Sequence, residues 1–280
     1  MNDKFFDPVF VYRHRDRILP YLSRRRERLI HARKLGQFRD RHREERCFVI
    51  GNGPSLTIHD LDKLKSEVTF AANKIYLAFD KTEWRPSYYV IEDDHMIWQH
   101  HDDISRMRGF MKFISNNWTL GDESGVTEPE KERVKKLLRR DPEIVLYPRV
   151  MLEGQEFPRF SSDACRVLYC GYMVTYISLQ LAYFMGFTNV YLVGVDFAYS
   201  PCDTGSNTFV HAPHHPQDHF TPDYYSPGEK RYVPQLNLAE TALVCARGFY
   251  ESQGRQIFNA TRGGRLEVFE RISLEEALAR

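Results

Sequence analysis

The chain has 280 residues, of which 42% are hydrophobic and 14% aromatic, with 39 Lys/Arg against 38 Asp/Glu. That suits one large domain, or one domain with appendages. No apolar run approaches the ~20 residues of a membrane span, and no basic-aromatic module or nucleic-acid motif accompanies the charge, so nucleic acid is not an expected partner.

The near-zero net charge hides an asymmetry. Residues 13–46 hold 13 Lys/Arg against 5 Asp/Glu. This stretch reads as Arg-rich helices broken near Pro20, with a thin apolar stripe of Ile18, Leu22, Leu29, Ile30, Leu35 and Phe38. Residues 1–45 are therefore expected to form a basic helical extension. It either packs on the domain by that stripe or meets an anionic membrane surface or a polyanionic substrate. The opening MNDKFFDPVF lacks the long apolar core of a secretory leader. The five cysteines (Cys47, Cys165, Cys170, Cys202, Cys245) are odd in number and form no C-x-x-C pair. Both features place the chain in a reducing cytoplasm, peripheral to the inner membrane if the basic stretch binds there.

From residue 46 onward, strand-like and helix-like runs alternate. Short segments rich in Val, Ile, Phe and Tyr predict strands over 46–51, 68–72, 87–92, 110–114, 143–147, 189–194 and 256–259. Helices are predicted over 129–140, 172–185 and 235–253, the last bounded by Pro234 and Gly254. The expected fold class is α/β: a mostly parallel, Rossmann-like sheet with helices on both faces, occupying 46–280. Residues 200–234, rich in Pro, His, Asp and Tyr, break the alternation and read as a long lid-like loop.

Ligands of open α/β sheets bind at the carboxyl ends of strands. The first predicted strand ends in Gly51-Asn52-Gly53-Pro54-Ser55. A glycine-rich turn after a strand makes room for a phosphate or nucleotide. It is neither a full G-x-G-x-x-G fingerprint nor a P-loop, since Leu56 stands at the third glycine and no Gly-Lys-Ser/Thr follows. Asn73, at the end of the second strand, stands where a dinucleotide fold places the residue that bonds ribose. The third strand ends in Glu92, Asp93, Asp94 and His95, and the 189–194 strand in Gly194, Asp196 and Tyr199. Asp93 and Asp94 either cap the next helix or hold Mg²⁺. Asp196 either faces the ligand or anchors a loop. His211, His214, His215 and His219 have irregular spacing and no cysteine, which suits solvated side chains or one catalytic base better than zinc.

These motifs resemble two related families. GNGPSL, GVDF (194–197), HFTPDYY (219–225) and IFNATRGGRLEVFERISLEEAL (257–278) are similar to the bacterial family named after the 6-hydroxymethylpterin diphosphokinase, called MptE-like. GNGPSL, Asn73, CGYM (170–173) and GVDF also resemble the bacterial family 42 sialyltransferases. The second resemblance implies transfer of a CMP-activated acidic sugar of the nonulosonic type to a cell-surface glycan, with no metal cofactor. It implies nucleotide contacts by Gly51, Asn52, Gly53, Pro54, Ser55, Asn73, Gly171, Gly194, Asp196 and Phe197. A loop histidine takes the acceptor proton and tyrosines meet the departing phosphate; here these are His219, with His211 second, and Tyr224 and Tyr225, with Tyr232 nearby. The family's Thr-Ser-Gly is replaced by Tyr169-Cys170-Gly171, and its lid histidine falls near Asn237, so His219 takes the role by residue type. The first resemblance implies the alternative of Mg²⁺-ATP pyrophosphoryl transfer to a pterin-like alcohol, with Asp93, Asp94 or Asp196 on the metal. A non-catalytic nucleotide-sugar-binding partner is the third reading. A second copy of the chain is a further candidate partner.

Overall fold

The computed structural model describes residues 30–116, 127–199, 209–211, 218–226, 229–232 and 234–280. The predicted helices before residue 30, Cys202, His214 and His215 lie outside these residues, as does the side chain of His211.

Eight strands form one sheet. They are β1 (Arg46–Ile50), β2 (Thr69–Ala72), β3 (Tyr88–Ile91), β4 (Met111–Ser115), β5 (Ile144–Tyr147), β8 (Asn189–Val193), β11 (Gln256–Asn259) and β12 (Glu270–Arg271). The order across the sheet is β12-β11-β8-β1-β2-β3-β4-β5, and every pairing is parallel. Two small paired elements sit outside it. One joins β6 (Arg149–Val150) to β7 (Leu168–Tyr169) in parallel; the other is the antiparallel pair β9 (Phe209–His211) and β10 (Lys230–Tyr232).

Parallel strands buried on both faces read as continuous apolar runs, and the pleat sends alternate residues to opposite sides. Cys47 and Val49 of β1 enter one core layer while Phe48 and Ile50 enter the other. β3 and β8 divide the same way. Helices α5 (Val174–Phe184) and α6 (Leu236–Ser252) cover the first face. Helices α1 (Ile58–Lys63), α2 (Asp94–Gln99), α3 (His101–Arg106), α4 (Glu128–Arg140) and α7 (Leu274–Ala279) lie on the second. Helices on both faces are thus as expected. Burial of a single ring such as Phe48 contributes about 1.5–3 kcal/mol.

Residues 30–36 form a leading helix, and the chain that follows is built into the core. Leu35 and Phe38 are buried in the first layer. His42 stacks on Phe187 at 4.6 Å, and its backbone N–H bonds Met185 O at 2.8 Å. Of the apolar stripe expected in the basic stretch, Leu35 and Phe38 are buried, whereas Ile30 is 47% exposed. No helix among the described residues is long and apolar enough to cross a membrane.

The chain runs β1 to β5 outward on one side, then crosses to β8 on the other side of β1. The switch point, where α/β folds open a crevice, therefore lies at the carboxyl ends of β1 and β8.

Candidate functional site

A cleft of about 430 Å³ opens at that switch point. At its floor the loops after β1 and β8 interlock. Gly51 N–H donates to Val193 O at 2.8 Å, and Gly53 N–H to Gly194 O at 2.9 Å. A Cβ on Gly51 would overlap Gly194 O, and one on Gly53 would overlap the Asp196 carboxylate. The glycine requirement of this loop thus comes from strand-end packing. Asp196 accepts from Ser55 Oγ at 2.8 Å and from Ser55 N–H at 3.2 Å. Burial pushes its carboxyl up, opposed by those Ser55 bonds. Asp196 thus anchors the loop and also lines the cleft.

Three polar atoms are left over around this floor. Asn52 Nδ2 donates to Ala72 O at 2.9 Å and to Tyr224 Oη at 3.3 Å, which fixes the amide with Oδ1 as an acceptor. Asn52 Oδ1, Asn73 Oδ1 and His219 Nε2 are all buried without a hydrogen-bond partner. Asn73 holds a left-handed backbone, φ 52°, a conformation that costs energy outside glycine and clusters at ligand sites. His219 reaches the same floor: its Nδ1 lies 3.2 Å from Asn52 O. A carbonyl oxygen only accepts, so Nδ1 carries the proton and Nε2 presents its lone pair. Burial depresses the imidazole to about 4, so the ring is neutral at pH 7, well below the near-neutral value expected of a loop histidine.

The segment carrying His219 is docked by buried contacts. His219 stacks on Tyr224 at 3.7 Å, with Tyr225 edge-on at 5.3 Å. Lys74 donates to Tyr224 O at 2.7 Å and to Glu229 Oε1 at 2.6 Å, both charged side chains being at most 6% exposed. His100 Nε2 lies 3.2 Å from the same carboxylate. Burial alone would raise Glu229, but hydrogen bonds from His100 and Lys74 hold it down at about 2. Asp218 and Arg231 form a second buried pair at 3.0 Å. Charged pairs of this kind are costly to break one side at a time.

The other end of the cleft is acidic. Asp93 caps α2, accepting from His95 N–H at 2.8 Å and Met96 N–H at 3.3 Å. Burial lifts its carboxyl to about 6 against those bonds. Arg149 reaches in from β6, donating to Glu92 O at 3.0 Å and to Asp94 Oδ2 at 3.4 Å. Its Nη1 lies 3.8 Å from Glu92 Oε1. Burial raises the Glu92 carboxyl, and Arg149 opposes this. Tyr232, 44% exposed, stands beside them. Partial burial and then the Asp93 and Asp94 charges push its hydroxyl up to about 12. Among the described residues, no three His, Cys, Asp or Glu side chains are grouped to hold a metal ion.

Of the sequence-derived nucleotide set, Gly51, Asn52, Gly53, Asn73, Gly194, Asp196 and Phe197 line the cleft. Pro54, Ser55 and Gly171 do not. Ser55 serves Asp196, and a Cβ on Gly171 would run into the Tyr176 ring, which explains that glycine by packing. Of the catalytic candidates, His219, Tyr224 and Tyr225 line the cleft, as do Asp93 and Asp94. The Tyr224 hydroxyl is engaged by Asn52. Lys74, Arg149, Asp218, Glu229 and Arg231 are the functional neighbours that sequence reading missed. Their ionic partners lie between 13 and 155 residues away.

Fold and cleft together define a Rossmann-like protein with an open cleft at its switch point. The family model described as 6-hydroxymethylpterin diphosphokinase MptE-like matches residues 26–201, more than half of the chain, which belongs to that family. The match takes in residues 26–45 and stops before HFTPDYY and the 257–278 segment. No curated protein matches the chain. Among solved structures, the MAf glycosyltransferase from Magnetospirillum magneticum AMB-1 is similar, with a TM-score of 0.49 and 19% identity. The likeness covers 85% of this chain and 35% of that one, so this chain spans about a third of the larger protein.

Proposed function

We propose that this chain is a glycosyltransferase that takes a CMP-activated acidic sugar as donor and transfers it to a glycan hydroxyl. The observation that carries the reading is the set of three buried acceptors, Asn52 Oδ1, Asn73 Oδ1 and His219 Nε2, around one switch-point cleft. Buried acceptors call for donors. Cytosine offers its exocyclic amine and ribose its hydroxyls, which suit the two asparagines; the acceptor hydroxyl suits His219.

In this reading the bond from the anomeric carbon to the phosphate oxygen breaks, and CMP leaves with the electron pair. The acceptor oxygen bonds the anomeric carbon and gives its proton to His219 Nε2. The Tyr224 and Tyr225 hydroxyls donate to the departing phosphate, and the reaction needs no metal. Support for that last point is that Asp93 is occupied by backbone N–H groups, Asp94 by Arg149 and Asp196 by Ser55.

One observation favours a second reading, Mg²⁺-dependent pyrophosphoryl transfer: the row Glu92-Asp93-Asp94 at the end of β3. A thermal-shift screen separates the two, because a ligand raises stability with the logarithm of its excess over Kd. Stabilisation by CMP or CDP in EDTA is expected. Stabilisation by ATP only with Mg²⁺ would replace this reading with the second, and no response to any nucleotide would leave a non-catalytic role.

A further inference from the structure

The acid end of the cleft is not explained by donor binding. A donor carrying a phosphate and a sugar carboxylate is repelled by Glu92, Asp93 and Asp94, two of which already engage the neighbouring Arg149. Yet this end has the marks of a binding surface. Glu92 is buried and its Oε1 accepts no hydrogen bond. Apolar exposure adjoins it. Among the described residues seven large apolar side chains are exposed; two of them, Met151 and Tyr232, line the cleft here, and a third, Tyr199, lines it beside His219. Exposed apolar surface beside a concave site marks an interaction site. Met151 follows Arg149 by two residues, and Tyr232 stands against the same carboxylates, so apolar and acidic groups share one end.

We propose that this end is the acceptor subsite, and that it takes a neutral sugar ring. The ring's hydroxyls donate to the Glu92 and Asp94 carboxylates while its C–H face lies on Tyr232 and Met151. The inference rests on the transfer reading above. A pyranose is the ligand whose two aspects match both features: a hydroxyl edge rich in donors and an apolar face the width of a tyrosine ring. Arg149 pairs with both carboxylates and holds them in place. An anionic acceptor meets the carboxylates of Glu92, Asp93 and Asp94, and a purely apolar one leaves Glu92 Oε1 unsatisfied, at a cost typical of a buried unpaired acceptor.

The test is saturation-transfer NMR on the full chain with methyl β-D-glucoside, methyl β-D-galactoside and methyl β-D-glucuronide, each with and without CMP. Transfer to C–H protons of one ring face of at least one neutral glycoside is expected. The glucuronide should bind at least tenfold more weakly. Tyr232→Ala should weaken the neutral glycoside at least tenfold, Tyr232→Phe should retain it, and Asp94→Asn should weaken it at least fivefold. Absence of transfer to both neutral glycosides while calorimetry shows CMP bound would overturn the subsite and leave the donor reading intact. So would glucuronide binding as tight as the neutral sugars, or a Tyr232→Ala variant equal to the parent. If CMP itself does not bind, the donor reading fails, and the CMP-free glycoside spectra still decide the subsite by the same criteria.

Discussion

The two ends of the cleft are built on opposite plans. At the β1/β8 end, charge is used up internally: Asp196 serves Ser55, and the glycines of the first loop exist because the β8 turn fills the space beside them. What remains for a ligand is neutral, two asparagine oxygens and an imidazole nitrogen. At the β3 end, carboxylates and an arginine face the cleft, flanked by exposed tyrosine and methionine. The difference teaches that a glycine motif at a strand end can be required by packing: the β8 turn fills the space beside both glycines, and the asparagine between them carries the buried acceptor.

The sharpest way to break this division is at His219. His219→Ala should lower turnover about 10²–10⁴-fold while leaving CMP affinity nearly unchanged, as expected for loss of a general base. Because the folded-state imidazole is depressed to about 4, it stays unprotonated as pH falls past the ordinary value of 6.5. The acid limb of kcat/KM should therefore fall near pH 4. A limb near 6.5, or equal loss of binding and turnover, would move His219 out of the base role. By linkage, the same depression lowers stability as pH drops from 6.5 toward 4, since the unfolded chain takes the proton first.

Lys74→Ala comes next. It leaves Glu229 buried without its closest cation, and removing one member of a buried pair costs about 3–5 kcal/mol. Denaturant melts should show that loss at pH 7. The part contributed by Glu229 is complete above the ordinary value of 4.5 and fades as pH falls toward about 2. A variant as stable as the parent would mean that the His219 segment is held elsewhere.

Asn73→Ala is expected to act more gently, weakening nucleotide binding by about 1–3 kcal/mol by calorimetry. Relief of the left-handed backbone is not available to alanine, so melting should show no gain. Undiminished affinity would remove Asn73 from the site. The smallest effect concerns the basic N-terminal stretch. The intact chain should bind anionic vesicles at low salt and release them as the Debye length shrinks below ~10 Å near 0.1 M. Indifference to vesicles at low salt would leave the basic stretch without that role.

Much of the scaffold was legible because central parallel strands are buried on both faces. CFVI, YYVI and NVYLV announce themselves as apolar runs whatever their neighbours. β6, β7, β9, β10 and β12 were not legible: strands of two or three residues form only because a partner is present, and β9–β10 interrupts a stretch that reads as loop. Asn73 could be found by its spacing from the first loop. Arg149 could not, since YPRV carries no sign that Glu92, 57 residues earlier, will lie beneath it. Gly53→Val read from sequence alone should spare the fold and lose only the nucleotide. The structure changes that expectation, because the new side chain meets the Asp196 carboxylate. Overpacking of about 1–3 kcal/mol accompanies any loss of binding.

The central claim is that buried acceptors at the β1/β8 end receive donors from the base and ribose of a cytidine nucleotide. Calorimetry of CMP against UMP, in EDTA, tests it most directly. The two ligands share phosphate and ribose and differ where cytosine carries an amine and uracil an oxygen. An acceptor facing the amine makes a bond; facing the oxygen it stays unpaired, at about 1–3 kcal/mol. The account predicts CMP at least tenfold tighter than UMP, with the gap collapsing when the asparagine that reads the base, Asn52 or Asn73, is changed to alanine. UMP binding as tightly as CMP would contradict it.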